Sequence, residues 1–168
     1  MPTPPPNDDF TDLTFITGTN PLLGYTFFAS SEFGQPNIAA ANGYQSVWWN
    51  WIAPAAGMYR LNITATNTSG RFGAAIYTGS LLTNLLEIAS GLATNINPGI
   101  SQLLLPFNAA AGTSYSIGVD ENGGGAFFSL SISAAAVERP ALVSTVSLNN
   151  KARGGTDPYT LVWIDELG

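Results

Sequence analysis

Two of the residue types that most often carry chemistry are missing: the 168-residue chain has no cysteine and no histidine. Without them there is no disulfide framework, thiolate nucleophile, imidazole base or zinc site of the usual Cys/His kind. Charge is scarce too. Only 10% of residues are Asp, Glu, Lys or Arg, against roughly 25% in an average soluble domain. Lys151 is the sole lysine, and with four arginines it leaves a net charge of −6. No basic stripe tracks a phosphate backbone, and an anionic membrane is equally unattractive, so neither nucleic acid nor membrane is an expected partner. No apolar run reaches the ~18 residues of a spanning helix. The opening "MPTPPPNDDF" has no basic stretch leading into an apolar one, so it does not read as a secretory signal.

What is abundant is Gly (18), Pro (11) and apolar residues (45%). Residues 1–9 read as a proline-rich arm, stiff in φ and unable to start a helix. Beyond it, short apolar or alternating runs are punctuated by turn residues, the pattern of an all-β sandwich. Strands are expected at 13–17, 25–30, 46–53, 58–65, 72–77, 85–89, 102–107, 114–120 and 127–133. The turns between them include "TNTSG", "NINPG" and "DENGGG". "SLLTNLLEIASGLA" admits one helical turn. This organisation gives an arm (1–9), a sandwich domain (10–136) and a C-terminal β extension (137–168). The extension holds apolar runs at 141–148 and 159–164, expected to form strands only when paired with the sandwich edge or a neighbouring subunit.

Several segments are similar to a known family in their order and spacing: "NDDF" at 7–10, "SVWWNWIAPAAGMYRLNI" at 46–63, "AAIYTG" at 74–79 and "AGTSYSIGVDENGGGAFFSLSI" at 111–132. Together they resemble the bacterial prepeptidase C-terminal-like (PPC-type) β-sandwich over residues ~7–133. The resemblance implies a jelly-roll-like antiparallel sandwich, appended to secreted proteases and surface proteins and not itself catalytic. Members often carry a Phe-Asp-Thr step before the "YTG" strand, where this chain has "RFGAA".

Candidate site residues follow from side-chain chemistry. In a strand, Val47, Trp49 and Trp51 share one face, expected to be core, and Trp48, Asn50 and Ile52 share the other. Trp48 is thus a contact for a strand edge, the tail or a partner, or a platform for a sugar ring. Asp8, Asp9 and Asp12 offer closely spaced oxygens for calcium, without an EF-hand loop. Paired acids such as these, or Asp120 and Glu121, could also serve a glycosidase. The competing reading is a solvated arm for the first group and, for Asp120 and Glu121, a hairpin loop in which Asp and Asn favour turn geometry. The Gly triplet lacks the spacing of a phosphate cradle, and the serines have only Lys151 as a conceivable activating base. No enzyme and no cofactor are therefore expected. Arg139, Lys151, Arg153, Tyr159 and Trp163 in the extension are the expected assembly residues. The expected role is a structural protein of a particle, such as a phage capsid-decoration or tail protein located in the virion, partnered by itself or by other particle subunits. The alternative is an extracellular, carbohydrate- or protein-binding accessory module of a secreted bacterial protein.

Overall fold

The structure, a computed structural model, describes residues 3–41, 44–66, 68, 70–135, 146–148 and 159–161, the last six by their backbone only. The chain divides into two compact units, residues 1–135 and 136–168. The first is a β-sandwich. Its strands are β1 (Thr14–Ile16), β2 (Leu22–Tyr25), β3 (Val47–Ile52), β4 (Gly57–Thr66), β5 (Phe72–Thr78), β6 (Leu86–Leu92), β7 (Thr94–Asn97), β8 (Ile100–Ala109), β9 (Ser114–Glu121) and β10 (Phe127–Ala134). One sheet has the order β1-β3-β9-β5-β6 and the other β2-β10-β4-β8-β7. The pairing is antiparallel throughout both sheets except for β1, which runs parallel to β3. In the second unit β11 (Val146–Leu148) and β12 (Tyr159–Leu161) pair with each other, antiparallel.

Period-2 alternation builds the core. Tyr59, Leu61, Ile63 and Ala65 of β4, Leu103, Leu105 and Phe107 of β8, and Phe128, Leu130 and Ile132 of β10 all point inward. They meet Trp49 and Trp51 of β3, Phe72 and Ile76 of β5, and Ile117 and Val119 of β9. Trp51 is ringed by Tyr59 at 4.8 Å and Phe107 at 5.7 Å between centroids, both edge-on, and Trp49 meets Phe128 edge-on at 5.4 Å. Such pairs add to the burial energy of rings that already dominate a core.

β3, β5 and β9 depart from alternation, being buried on nearly every residue. The outer face of their sheet is covered by the chain itself. Phe10, Ile38, Trp48, Ala75 and Tyr77 form a second, smaller cluster there, with Leu13, Ala39, Leu82 and Leu85 packed around it.

Two elements differ from the sequence reading, and a third makes one of its readings specific. The strand expected at 25–30 stops at Tyr25. Thr26 exchanges hydrogen bonds with Ala126 through its backbone N–H and its hydroxyl, and Phe28 has φ 63°, which turns the chain out of the ladder. β7 occupies what reads as a turn, because an exposed edge strand needs no alternating apolar face. The helical turn around residue 83 is a single 3-10 turn, Leu82–Asn84. In the extension, residues 141–145 and 162–164 of the two expected runs lie outside the described residues.

Candidate functional site

The N-terminal arm is laid along β3. Trp48 N–H donates to the Asn7 carbonyl (2.9 Å), and the Asn7 side-chain amide donates to the Trp48 carbonyl (2.8 Å). Asp8 accepts from the Ser30 N–H (2.6 Å) on one carboxylate oxygen and from the Ser30 hydroxyl (3.0 Å) on the other. A 3-10 turn, Phe10–Asp12, then lowers Phe10 edge-on against the Trp48 ring at 5.2 Å. The Phe10 N–H donates to Glu32 Oε2 (2.6 Å). Two carboxylates therefore clasp the arm to the loop that follows β2.

That loop forms the wall of an open cavity of about 260 Å³, lined by Ser31, Glu32, Gln35, Pro36, Asn37, Tyr44 and Asp120. Its wall is fixed by polar contacts. Gln35 Oε1 accepts from the Glu32 N–H (3.0 Å) and lies 2.9 Å from the Ser46 hydroxyl. Asp120 Oδ1 accepts from the backbone N–H groups of Gln45 (3.3 Å) and Glu121 (2.9 Å). Tyr44 stands 76% exposed at the mouth. The 38–41 segment is strained, with Ala39 at φ 51° and Ala40 at φ 53°, a conformation that costs an alanine on the order of 1–3 kcal/mol. Arg71 Nη1 and Asn122 Nδ2 hold it by donating to the Ala40 and Ala41 carbonyls (3.2 and 3.0 Å).

Burial pushes the Glu32 carboxyl above the usual carboxylate range; the Phe10 N–H opposes this, while the charges of Asp9, Asp8 and Asp12 add to it. A raised carboxyl pKa means that the folded chain holds the proton more tightly than the unfolded one. The resulting penalty is absent below the unfolded pKa and grows as pH rises through the carboxylate range. Glu32→Gln, whose amide oxygen can still accept from Phe10, is therefore expected to melt at or above the parent temperature at pH 7. That advantage should vanish at about pH 3. Melting curves at the two pH values check this.

The sequence-predicted residues fall in different places. Trp48, singled out as a contact residue, is fully buried; its cover is the chain's own arm, through Phe10, together with Tyr77. Asp8 is a clasp, and among the described residues no group of three or more acids is arranged to hold a metal. Asp120 and Glu121 are not solvated loop acids. They end β9 and are 2% and 0% exposed, Glu121 Oε2 accepting from the Gly125 N–H (2.8 Å) to close the "ENGGG" turn. Arg139, Lys151, Arg153 and Trp163 lie outside the described residues, as does the Tyr159 side chain. Glu32, Gln35, Asn37 and Tyr44 were not legible as a site. Their only signal was a polar stretch, "SEFGQPN", placed between two strand runs.

A second surface is apolar. Tyr25, Phe27, Phe28 and Phe127 flank a cavity of about 460 Å³, with Phe28 and Phe127 more than half exposed.

No family model matches the chain, and no curated protein is similar to it. Among solved structures, the chain is similar to the pre-peptidase C-terminal domain of a collagenase from Bacillus anthracis, at 14% identity and TM-score 0.42, over 72% of this chain and 94% of that one. It is also similar to a Podospora anserina GH26-CBM35 β-(1,4)-mannanase, at 12% identity and TM-score 0.43, over 80% of this chain and 32% of the mannanase. The chain thus spans about a third of that enzyme's length. A family 35 carbohydrate-binding module from an environmental isolate is similar at 17% identity and TM-score 0.35, over 71% of this chain and 90% of the module. The first of these is a domain of the kind that the sequence motifs resemble.

Proposed function

We propose that the chain is a non-catalytic, extracellular binding module that recognises carbohydrate in the pocket between the 31–37 loop, Tyr44 and Asp120. The observation that carries this is the pocket's mixture of groups. An exposed tyrosine ring offers a face for the apolar C–H side of a sugar. Two carboxylates, two side-chain amides and a hydroxyl offer donors and acceptors for its rim of hydroxyls. Both carboxylates are tied to backbone N–H groups, which suits fixed acceptors better than proton shuttles. A second reading, docking of a protein, draws on the apolar Tyr25–Phe28–Phe127 surface. The particle-assembly role draws on Arg139, Lys151, Arg153, Tyr159 and Trp163, whose side chains are not among those described, so the pocket is favoured here.

Titration with soluble polysaccharides by calorimetry or affinity electrophoresis tests the proposal. The parent should bind at least one of them. Tyr44→Ala and Glu32→Gln should each weaken binding by about tenfold, the equivalent of 1.4 kcal/mol, with the melting curve retained. Absence of binding to a broad polysaccharide panel, or binding indifferent to both substitutions, overturns it.

A further inference from the structure

Three buried polar atoms on the outer face of β3 and β5 have no hydrogen-bond partner: Trp48 Nε1, Asn50 Oδ1 and Tyr77 Oη. The strand register places them close together. Asn50 lies opposite Ser116 of β9, and Ser116 lies opposite Tyr77 of β5, so the three form one cross-strand row. Trp48 lies in the adjoining row, opposite Gly118 and then Ala75. The Trp48 ring reaches over Gly118, and its centroid is 6.2 Å from that of Tyr77. Trp48, Asn50 and Tyr77 are 0%, 7% and 1% exposed. Burying a polar group without a partner is costly, and native structures rarely leave three such groups together.

What covers Trp48 and Tyr77 is not another strand of the sandwich. It is Phe10 and Leu13 of the N-terminal segment, with Ile38, Ala39, Leu82 and Leu85 from two loops. Among the described residues, the polar contacts that hold the N-terminal part of the cover are the Asn7 pair with Trp48, the Asp8 clasp on Ser30, and the Phe10 N–H on Glu32.

We propose that residues 3–13 are a strap over a second ligand site, in which the Trp48 and Tyr77 rings, Trp48 Nε1, Asn50 Oδ1 and Tyr77 Oη receive a hydroxylated sugar ring when the strap lifts. Two aromatic faces suit the C–H side of a pyranose. The unpartnered indole N–H and phenol O–H are donors and the amide oxygen an acceptor for its hydroxyls, so a ligand satisfies the polar groups that the strap leaves unsatisfied. Phe10 holds the place of the sugar ring against Trp48 in the closed state. This goes beyond the open pocket, whose Glu32 also holds the strap through the Phe10 N–H.

The backbone N–H of Trp48 donates to the Asn7 carbonyl of the strap, so its hydrogen exchange in the unaltered chain reports strap opening. It should exchange at least about 100-fold faster than the N–H groups of Trp49 and Ile117, whose exchange requires the sandwich to open. The double variant Asp8→Asn/Phe10→Ala in the full chain should bind cellohexaose or chitohexaose at least tenfold more tightly than the parent. The gain should persist with Tyr44→Ala, which disables only the open pocket, and disappear with Trp48→Leu. Three results overturn the proposal. The first is Trp48 exchange as slow as that of Trp49, which decides the matter even if the double variant does not fold. The second is a folded double variant with no gain in binding. The third is a high-resolution crystal structure with ordered waters bonded to the three atoms, which would give the row a purely internal role.

Discussion

Trp49→Ala is expected to lower the unfolding free energy by about 3–5 kcal/mol, the range for removing a large ring from a packed interior. Trp49 is 2% exposed, in the middle of β3, between the two sheets. It stands edge-on to Phe128, which stands in the same way against Phe72 at 5.5 Å, so one ring supports a chain of three. Gly24 of β2 lies directly under it. A Cβ there would sit 2.9 Å from Trp49 Cζ2 and 2.6 Å from Phe128 Cζ, so the backbone has approached as closely as a glycine permits. A cavity left by the indole has no side chain on that side able to swing in, which places the expected loss high in the range. Urea denaturation with an unchanged slope measures it. A loss below about 1 kcal/mol would place Trp49 outside the core, since surface substitutions stay near that limit.

The second large effect comes from adding atoms. Gly118 lies in β9 under both Trp48 and Ile38, and a Cβ there would meet Ile38 Cδ1 at 2.7 Å and Trp48 Cζ3 at 2.8 Å. Those separations are too short for carbon atoms, and Trp48 is fixed in turn by Phe10, Tyr77 and the Asn7 hydrogen bonds. Gly118→Val should therefore cost about 3 kcal/mol, the upper part of the usual overpacking range. The same substitution in a Trp48→Ala chain should cost much less, because the obstructing ring is gone. A double-mutant cycle reads that coupling directly. Equal costs in the two backgrounds would show that Trp48 does not press on Gly118.

The architecture was largely legible in the chain. Alternating residues such as Tyr59, Leu61, Ile63 and Ala65 have one inward solution in a strand, and turn residues such as those of "TNTSG" and "DENGGG" mark where strands reverse. The assignment of Trp49 and Trp51 to the interior follows from the same period of two, and it holds. Absence of cysteine and histidine narrowed the chemistry before any fold was considered.

Other features depend on contacts between residues far apart in sequence, and no local pattern carries them. Trp48 reads as an outward-facing ring until Phe10, 38 positions earlier, is seen to lie against it. Asp120 and Glu121 read as solvated turn acids, and only the arrangement of Gln45 and Gly125 around them supplies the N–H groups that let carboxylates be buried. The pocket assembles a loop after β2, a residue before β3 and the end of β9. The strand period, the two-faced tryptophan strand and the excluded chemistries are readable from the chain, because they depend on side-chain alternation and residue type alone. Which outward face is covered, and which polar groups converge, emerges only in the folded molecule, because burial and hydrogen bonding at those positions are properties of pairs brought together when the sheets close.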